Sequence, residues 1–219
     1  DALFGRVLIA ITDFRGRYIQ ILIWFLPIAG LFICWMYHRC NEMSLKGMTL
    51  VLETAQGKRA DIPLALVPLV MVGTWITHLF GGSAGREGVA VQIGATLSHY
   101  LGRKMKTPDN SKVMLITGMA AGFGGLFQTP LVATFFAMEV IVAGYMDYQA
   151  LLPAIIGAFV ASFTSHSLGL EKFAVELKST VDLSNMKIVA IVIILGLAFG
   201  IVGRLFSKLL QILKKFMVE

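Results

Sequence analysis

The sequence predicts an all-α membrane protein whose helices are partly broken or re-entrant. Three observations carry that expectation. The 219 residues are 57% hydrophobic and only 15% charged, against about 25% charged in an ordinary soluble domain. Mean hydropathy is +0.77, and the charges gather between apolar stretches rather than within them. Several apolar stretches are too short, or too interrupted by Gly and Pro, to cross a bilayer alone. Broken helices persist at membrane depth only where their ends line a cavity or are buried in protein.

The elements follow in order. Residues 2 to 12 read as the end of a helix, and Asp13-Phe14-Arg15-Gly16-Arg17 as a short polar turn. Residues 18 to 38 are long enough to span the hydrocarbon core, with a kink expected at Pro27 and interfacial Trp35, Tyr37 and His38 at the end. Residues 39 to 62 hold only a brief apolar run, which fits a re-entrant loop followed by a half-helix. Asp61 and Pro63 form a cap and first helical position for residues 63 to 79. After a glycine-rich break, a helix starts at Glu87 and runs to about residue 101. Residues 102 to 112 set Arg103, Lys104, Lys106 and Lys112 against Asp109 alone, the pattern of a cytoplasmic loop.

Residues 115 to 127 are rich in small side chains that permit close helix approach. Gln128 and Thr129 break that helix, and Pro130 starts another short one through about residue 142. Residues 150 to 166 form a further apolar helix. The next loop balances Glu171, Glu176 and Asp182 against Lys172, Lys178 and Lys187, as an outside loop does. Residues 187 to 210 form the final span, ending in the bases Lys208, Lys214 and Lys215.

These features exclude several classes. The formal net charge of +6 is explained by bases at one membrane face, so nucleic acid is not an expected partner. Cys34 and Cys40 are six apart and read as free membrane thiols. His38, His78, His99 and His166 share no ligand spacing, so no metal is expected. There is no nucleophile–base arrangement, and the glycines of residues 81 to 88 lack the lysine and hydroxyl residue of a phosphate loop. The sequence therefore predicts neither an enzyme nor a cofactor. The chain opens with Asp1 rather than Met, which reads as a beginning in mid-protein.

The stretch Gly81 to Gly94 carries the chemistry. Glu87 is an ionisable acid among glycines at the head of an apolar helix, and an unpartnered charge at membrane depth costs about 2.5 kcal/mol or more. Crowded backbone N–H groups and about half a positive charge at a helix N-terminus can hold either that carboxylate or a small anion. The other candidate half-helix end, near Met48, lies 39 residues earlier. The pair predicts a midplane ion site built from helix termini.

Gly85-Arg86-Glu87-Gly88 resembles the Gly-Arg-Glu-Gly-Pro signature of the CLC chloride channels and proton-coupled transporters. A second passage, from Gly118 through Gln128-Thr129-Pro130-Leu131, is similar to that family's Gly-Ala-Ala-Ala-Gly…Phe-Asn-Ala-Pro-Leu. Phe136-Ala137-Met138-Glu139 follows, similar to Leu-Phe-Ala-Leu-Glu-Glu. Three departures matter. Val89 stands where the family usually has Pro, and Val140 where many proton-coupled members carry a second acid. The Ser-bearing chloride loop, Gly-Ser-Gly-Ile-Pro, is replaced by Ser44-Leu45-Lys46-Gly47-Met48-Thr49. Together these resemble the fluoride-exporting branch, the bacterial fluoride/proton antiporters of the CLC-F type.

The resemblance covers about half of a family member. It implies a first inverted-topology repeat over residues 1 to 186, its opening helix truncated, and the first helix of the second repeat over residues 187 to 219. It implies fluoride and protons as the transported species, Glu87 as the proton-sensitive gate, and an anion site of Gly85, Arg86, Glu87, Gly88 and Met48. Met43 and Ser44 are alternatives for the register of the altered loop. Arg86 is expected to position rather than ligate, and Glu139 to act as a proton-path acid or a buried structural partner, the second favoured because Val140 replaces the second acid. A homodimer in the bacterial inner membrane, with a second repeat completing the pathway, is implied as well. A chloride transporter or passive anion channel is the nearest alternative. A half-protein that serves only assembly or folding is another.

Overall fold

The computed structural model describes residues 2–105, 110–141, 146–170 and 186–218. The chain divides into two compact units, residues 1–173 and 174–219. The expected basic turn at Lys106 and Asp109, and the loop holding Glu171, Lys172, Glu176, Lys178 and Asp182, lie outside the described residues.

The first unit begins with α1 (Ala2–Leu22), a 3-10 turn (Ile23–Phe25) and α2 (Leu26–Cys40). The expected break at residues 13 to 17 is absent, because α1 runs straight through them. Nothing in Asp13-Phe14-Arg15-Gly16-Arg17 forbids a helix, and Phe14 and Tyr18 meet on one face with ring centroids 5.1 Å apart. Arg15 Nη1 donates to the carbonyl of His78, at 3.3 Å, which fixes that face against a later helix. The interruption falls just before Pro27 instead. Proline has no N–H and its ring crowds the carbonyl four residues back, here Ile23, so the helix tightens to 3-10 and restarts.

A 3-10 turn (Glu42–Lys46) leads into α3 (Met48–Ala55), the expected half-helix. Then come α4 (Leu66–Leu79), α5 (Glu87–Lys104) and α6 (Asn110–Phe127). Helix α4 begins three residues later than Asp61 and Pro63 suggested, and Ala65 is its N-cap. The Asp61 carboxylate has other partners: it accepts from the Ile62 N–H at 2.8 Å and pairs with Arg103 at the far end of α5. Helix α7 (Pro130–Glu139) and, after a 3-10 turn at Tyr148–Ala150, helix α8 (Leu151–Ser167) complete the unit. With 10 residues, α7 is about 15 Å long, half of a bilayer core.

Helices α5 and α6 make the most extensive contact, and glycine is the reason. Methyl groups on Gly94, Gly118 or Gly122 would each strike the facing helix backbone, at Gly118, Gly94 and Ala90 respectively. The main core packs α3 (Leu50, Val51), α5 (Val91, Ala95), α6 (Ile116, Met119), α7 (Ala133, Ala137) and α8 (Ala154, Ala158). A smaller cluster joins Phe4 and Leu8 of α1 to Val70 of α4 and Val89 of α5, with Phe4 stacked on Trp75 at 5.6 Å.

Among the described residues, three segments are long and apolar enough to cross a membrane: Phe4–Cys40, Tyr148–Ser167 and Met186–Leu213. Large apolar side chains on them face outward, including Trp24, Leu31, Leu152 and Phe163, which suits hydrocarbon and would be unfavourable in water. In the second unit, α9 (Met186–Val218) has 33 residues and is about 50 Å long, well beyond one bilayer core. Lys187 stands at its start, and Arg204, Lys208, Lys214 and Lys215 lie in its C-terminal half.

Candidate functional site

Two helix N-termini hold the candidate residues. At the first, Gly47 has φ +51 and ψ −123, a conformation that a side chain rarely tolerates. This sharp turn lets the 3-10 segment pass directly into α3. Asn41 caps the 3-10 turn: its Oδ1 accepts from the Ser44 N–H at 3.2 Å and lies 3.3 Å from Ser44 Oγ. Ser44 is fully buried.

At the second, Arg86 is the N-cap of α5 and Glu87 is its first residue. No side chain caps this end, so its first N–H groups are left without intrahelical partners. The Glu87 carboxylate folds back over the preceding turn. Its Oε2 is 2.5 Å from where a Cβ on Gly85 would sit, so residue 85 must lack a side chain for that pose.

Beside the α3 end lies a cavity of about 330 Å³. Ser44, Leu45 and Gly47 form one wall and Gln92 of α5 a second, while Ile33 and Tyr37 of α2 and Val70, Thr74 and Thr77 of α4 contribute to the rest. Gln92 packs at the Gly47 turn: its carboxamide oxygen is 3.7 Å from the Cβ position of Gly47, and its nitrogen 3.7 Å from that of Gly88, one turn earlier on its own helix. Residue Gln92 was not among the sequence candidates. The only local signal is its place one turn after Gly88, as a lone amide between Val91 and Ile93.

The candidates thus divide. Gly88 lies within reach of the cavity through Gln92, and Ser44 lines it. Met48 starts α3, is half-buried and packs against the main core. Met43 faces outward, with its sulfur 3.5 Å from Arg59 Nη1. Gly85, Arg86 and Glu87 are exposed, and Arg86 lines a separate cleft of about 420 Å³ beside Phe4, Met71 and Val89. Glu139 is exposed at the end of α7, not buried as its structural reading required.

Outside the cavity, two carboxylates each gather two basic partners. Glu53 accepts from Lys46 Nζ at 3.0 Å and from Arg59 Nε at 2.6 Å. Those hydrogen bonds, from Lys46 first and Arg59 second, hold its carboxyl below the ordinary value of 4.5. Asp61 pairs with Arg103 and lies 3.7 Å from His99 Nε2, while the other ring nitrogen of His99 meets Ser111 Oγ at 2.8 Å. This cluster ties the basic end of α5 to the segment before α4 and to the start of α6.

Comparison with known proteins bears on the same features. Residues 29–219 match the family described as voltage gated chloride channel. A chloride/fluoride channel protein of Pseudomonas syringae pv. tomato is 34% identical over 208 residues, covering 94% of this chain and 46% of that protein. A voltage-gated ClC-type chloride channel, ClcB of Salmonella typhimurium, is 28% identical over 184 residues, covering 83% of this chain and 43% of that one. The crystal structure of a CLC-type fluoride/proton antiporter superposes with a TM-score of 0.85 at 49% identity, over 92% of this chain and 51% of that chain. The chain spans about half the length of the curated relatives it matches.

Proposed function

This chain belongs to the voltage-gated chloride channel (CLC) family, and from that premise we propose that it takes part in fluoride export by fluoride/proton antiport. The observation that carries the proposal is the turn at Gly47, where the N-terminus of α3 meets Gln92, one turn into α5, beside a cavity. That terminus contributes about half a positive charge and N–H groups without intrahelical partners. Fluoride is small and strongly hydrated, so it enters only where close donors replace its water. The 49% identity to a fluoride/proton antiporter structure favours fluoride over chloride, and so does the Met48-bearing loop in place of a serine loop.

Glu87 is the proton-sensitive element in this scheme. Ionised, it competes with the anion for the exposed N–H groups of α5 around Gly85–Gly88. Protonated, it loses its charge and its hold on the helix end, and the anion takes its place. The side chain sits at the open end of α5, free to swing between the turn above Gly85 and the helix axis. Arg86 keeps the local potential positive without entering the cavity. Met48 acts by shape, since a thioether donates no hydrogen bond. Packed on the core at the first position of α3, it narrows the mouth of that helix.

The rest of the pathway is assigned to a second repeat. Residues 1–186 are read as the first inverted-topology repeat and 187–219 as the opening helix of the next, in a homodimer of the bacterial inner membrane. Reversal potentials in opposed fluoride and pH gradients test the proposal. A shift with both gradients is expected; a shift with fluoride or chloride alone, indifferent to pH, would identify a passive channel. Flux measured for residues 1–219 alone, beside the same chain extended by a second repeat, separates transport from a purely assembling role.

A further inference from the structure

Polar groups lining the cavity differ in what they have left to give. Thr74 and Thr77 donate their hydroxyls to carbonyls of their own helix, Val70 and Gly73, each at 2.7 Å. Ser44 Oγ is engaged by Asn41. Gln92 is only 8% exposed, yet its side-chain oxygen is buried without a hydrogen-bond partner. A buried amide oxygen without a partner is costly, so such a group points to a ligand or water that the protein was shaped to receive. Gln92 lines the cavity, with its carboxamide beside the Gly47 turn at the start of α3. Because it has no protein partner to lose, it can turn about its last torsion and present N–H to an anion.

We infer that Gln92 is a direct anion-contacting and selectivity residue, donating a side-chain N–H to a fluoride held in the cavity beside the N-terminus of α3. This rests on the fluoride reading proposed above and adds to it a named donor. A carboxamide suits a small hard anion: it is neutral, so it adds no permanent charge that would trap the ion. The α3 end supplies positive potential, and the amide supplies a directed bond. Chloride, larger and less dependent on a close donor, gains less from it, so the residue discriminates between the halides.

The test compares Gln92→Met, which keeps length and removes the donor, with Gln92→Asn, which keeps the donor on a shorter arm. Fluoride affinity and the fluoride/chloride preference are measured by flux in liposomes for the whole protein, with thermal unfolding followed in parallel. A hydrogen bond to an ion predicts a roughly ten- to hundredfold loss of fluoride affinity for Gln92→Met, with a smaller loss for Gln92→Asn. Relative chloride passage rises in the Met variant. Equal losses in both variants, or Gln92→Met retaining the original affinity and preference, overturn the assignment. If the unsubstituted protein moves no fluoride, it is the functional reading that fails.

Discussion

Replacing Gly118 by Ala should loosen the seam on which the cavity depends. A Cβ at Gly118 would lie 2.5 Å from Ser98 Cβ and 2.7 Å from the Gly94 carbonyl carbon, besides striking the Gly94 oxygen. Two of those three atoms are backbone, so no rotamer change relieves the contact, and α5 and α6 must separate. Overpacking of this kind costs about 1–3 kcal/mol. Alanine recovers about 1 kcal/mol through helix propensity, leaving a net loss of about 0–2 kcal/mol. For a chain of this size that is a fall in Tm of up to about 8 °C. Gly30→Ala is the matched control: Gly30 is helical and exposed, with nothing within 4 Å of its Cβ position, so propensity alone should hold or raise Tm. Thermal unfolding of the purified variants decides. A Gly118→Ala protein as stable as Gly30→Ala would refute the argument that backbone contact at Gly94 sets the helix spacing.

Other outcomes are expected. Met48→Ser removes a half-buried side chain packed on the core, so it should lower Tm by several degrees and raise chloride passage relative to fluoride. Halide competition in liposomes checks this, and an unchanged halide ratio would leave Met48 a packing residue only. The carboxyl of Glu53 lies outside the three apolar spans and is held below 4.5 by Lys46 and Arg59. Its stabilising contribution is therefore present above the unfolded value and lost as pH falls through the lower folded one. The Tm gap between the unsubstituted protein and Glu53→Gln should hold steady from neutral pH down to about 4.5 and close below it. Closure between about pH 7 and 5.5 would contradict the pairing.

How legible the fold was depended on how local each cause is. Pro130 announced a helix start because a missing N–H is a property of the residue itself, and the small residues around Gly118 announced close packing for the same reason. The run Asp13 to Arg17 misled, because its polar composition resembles a turn while its partner, the His78 carbonyl, lies 63 positions away. Asp61 resembled a cap for the same reason, and Arg103 engages it from the far end of α5. The site divides along the same line. The helix ends at Met48 and Glu87 could be read from the breaks before them. That Gly47 packs against Gln92 could not, since the two lie in different segments that must fold together before that amide meets the α3 turn.

Glu87 is the residue on which the functional account turns. The most direct measurement is proton uptake driven by an outward fluoride gradient in liposomes, for the unsubstituted protein and for Glu87→Gln. The account predicts fluoride-driven uptake in the first and none in the second, with fluoride itself still moving through the variant. Undiminished proton movement in Glu87→Gln would contradict it.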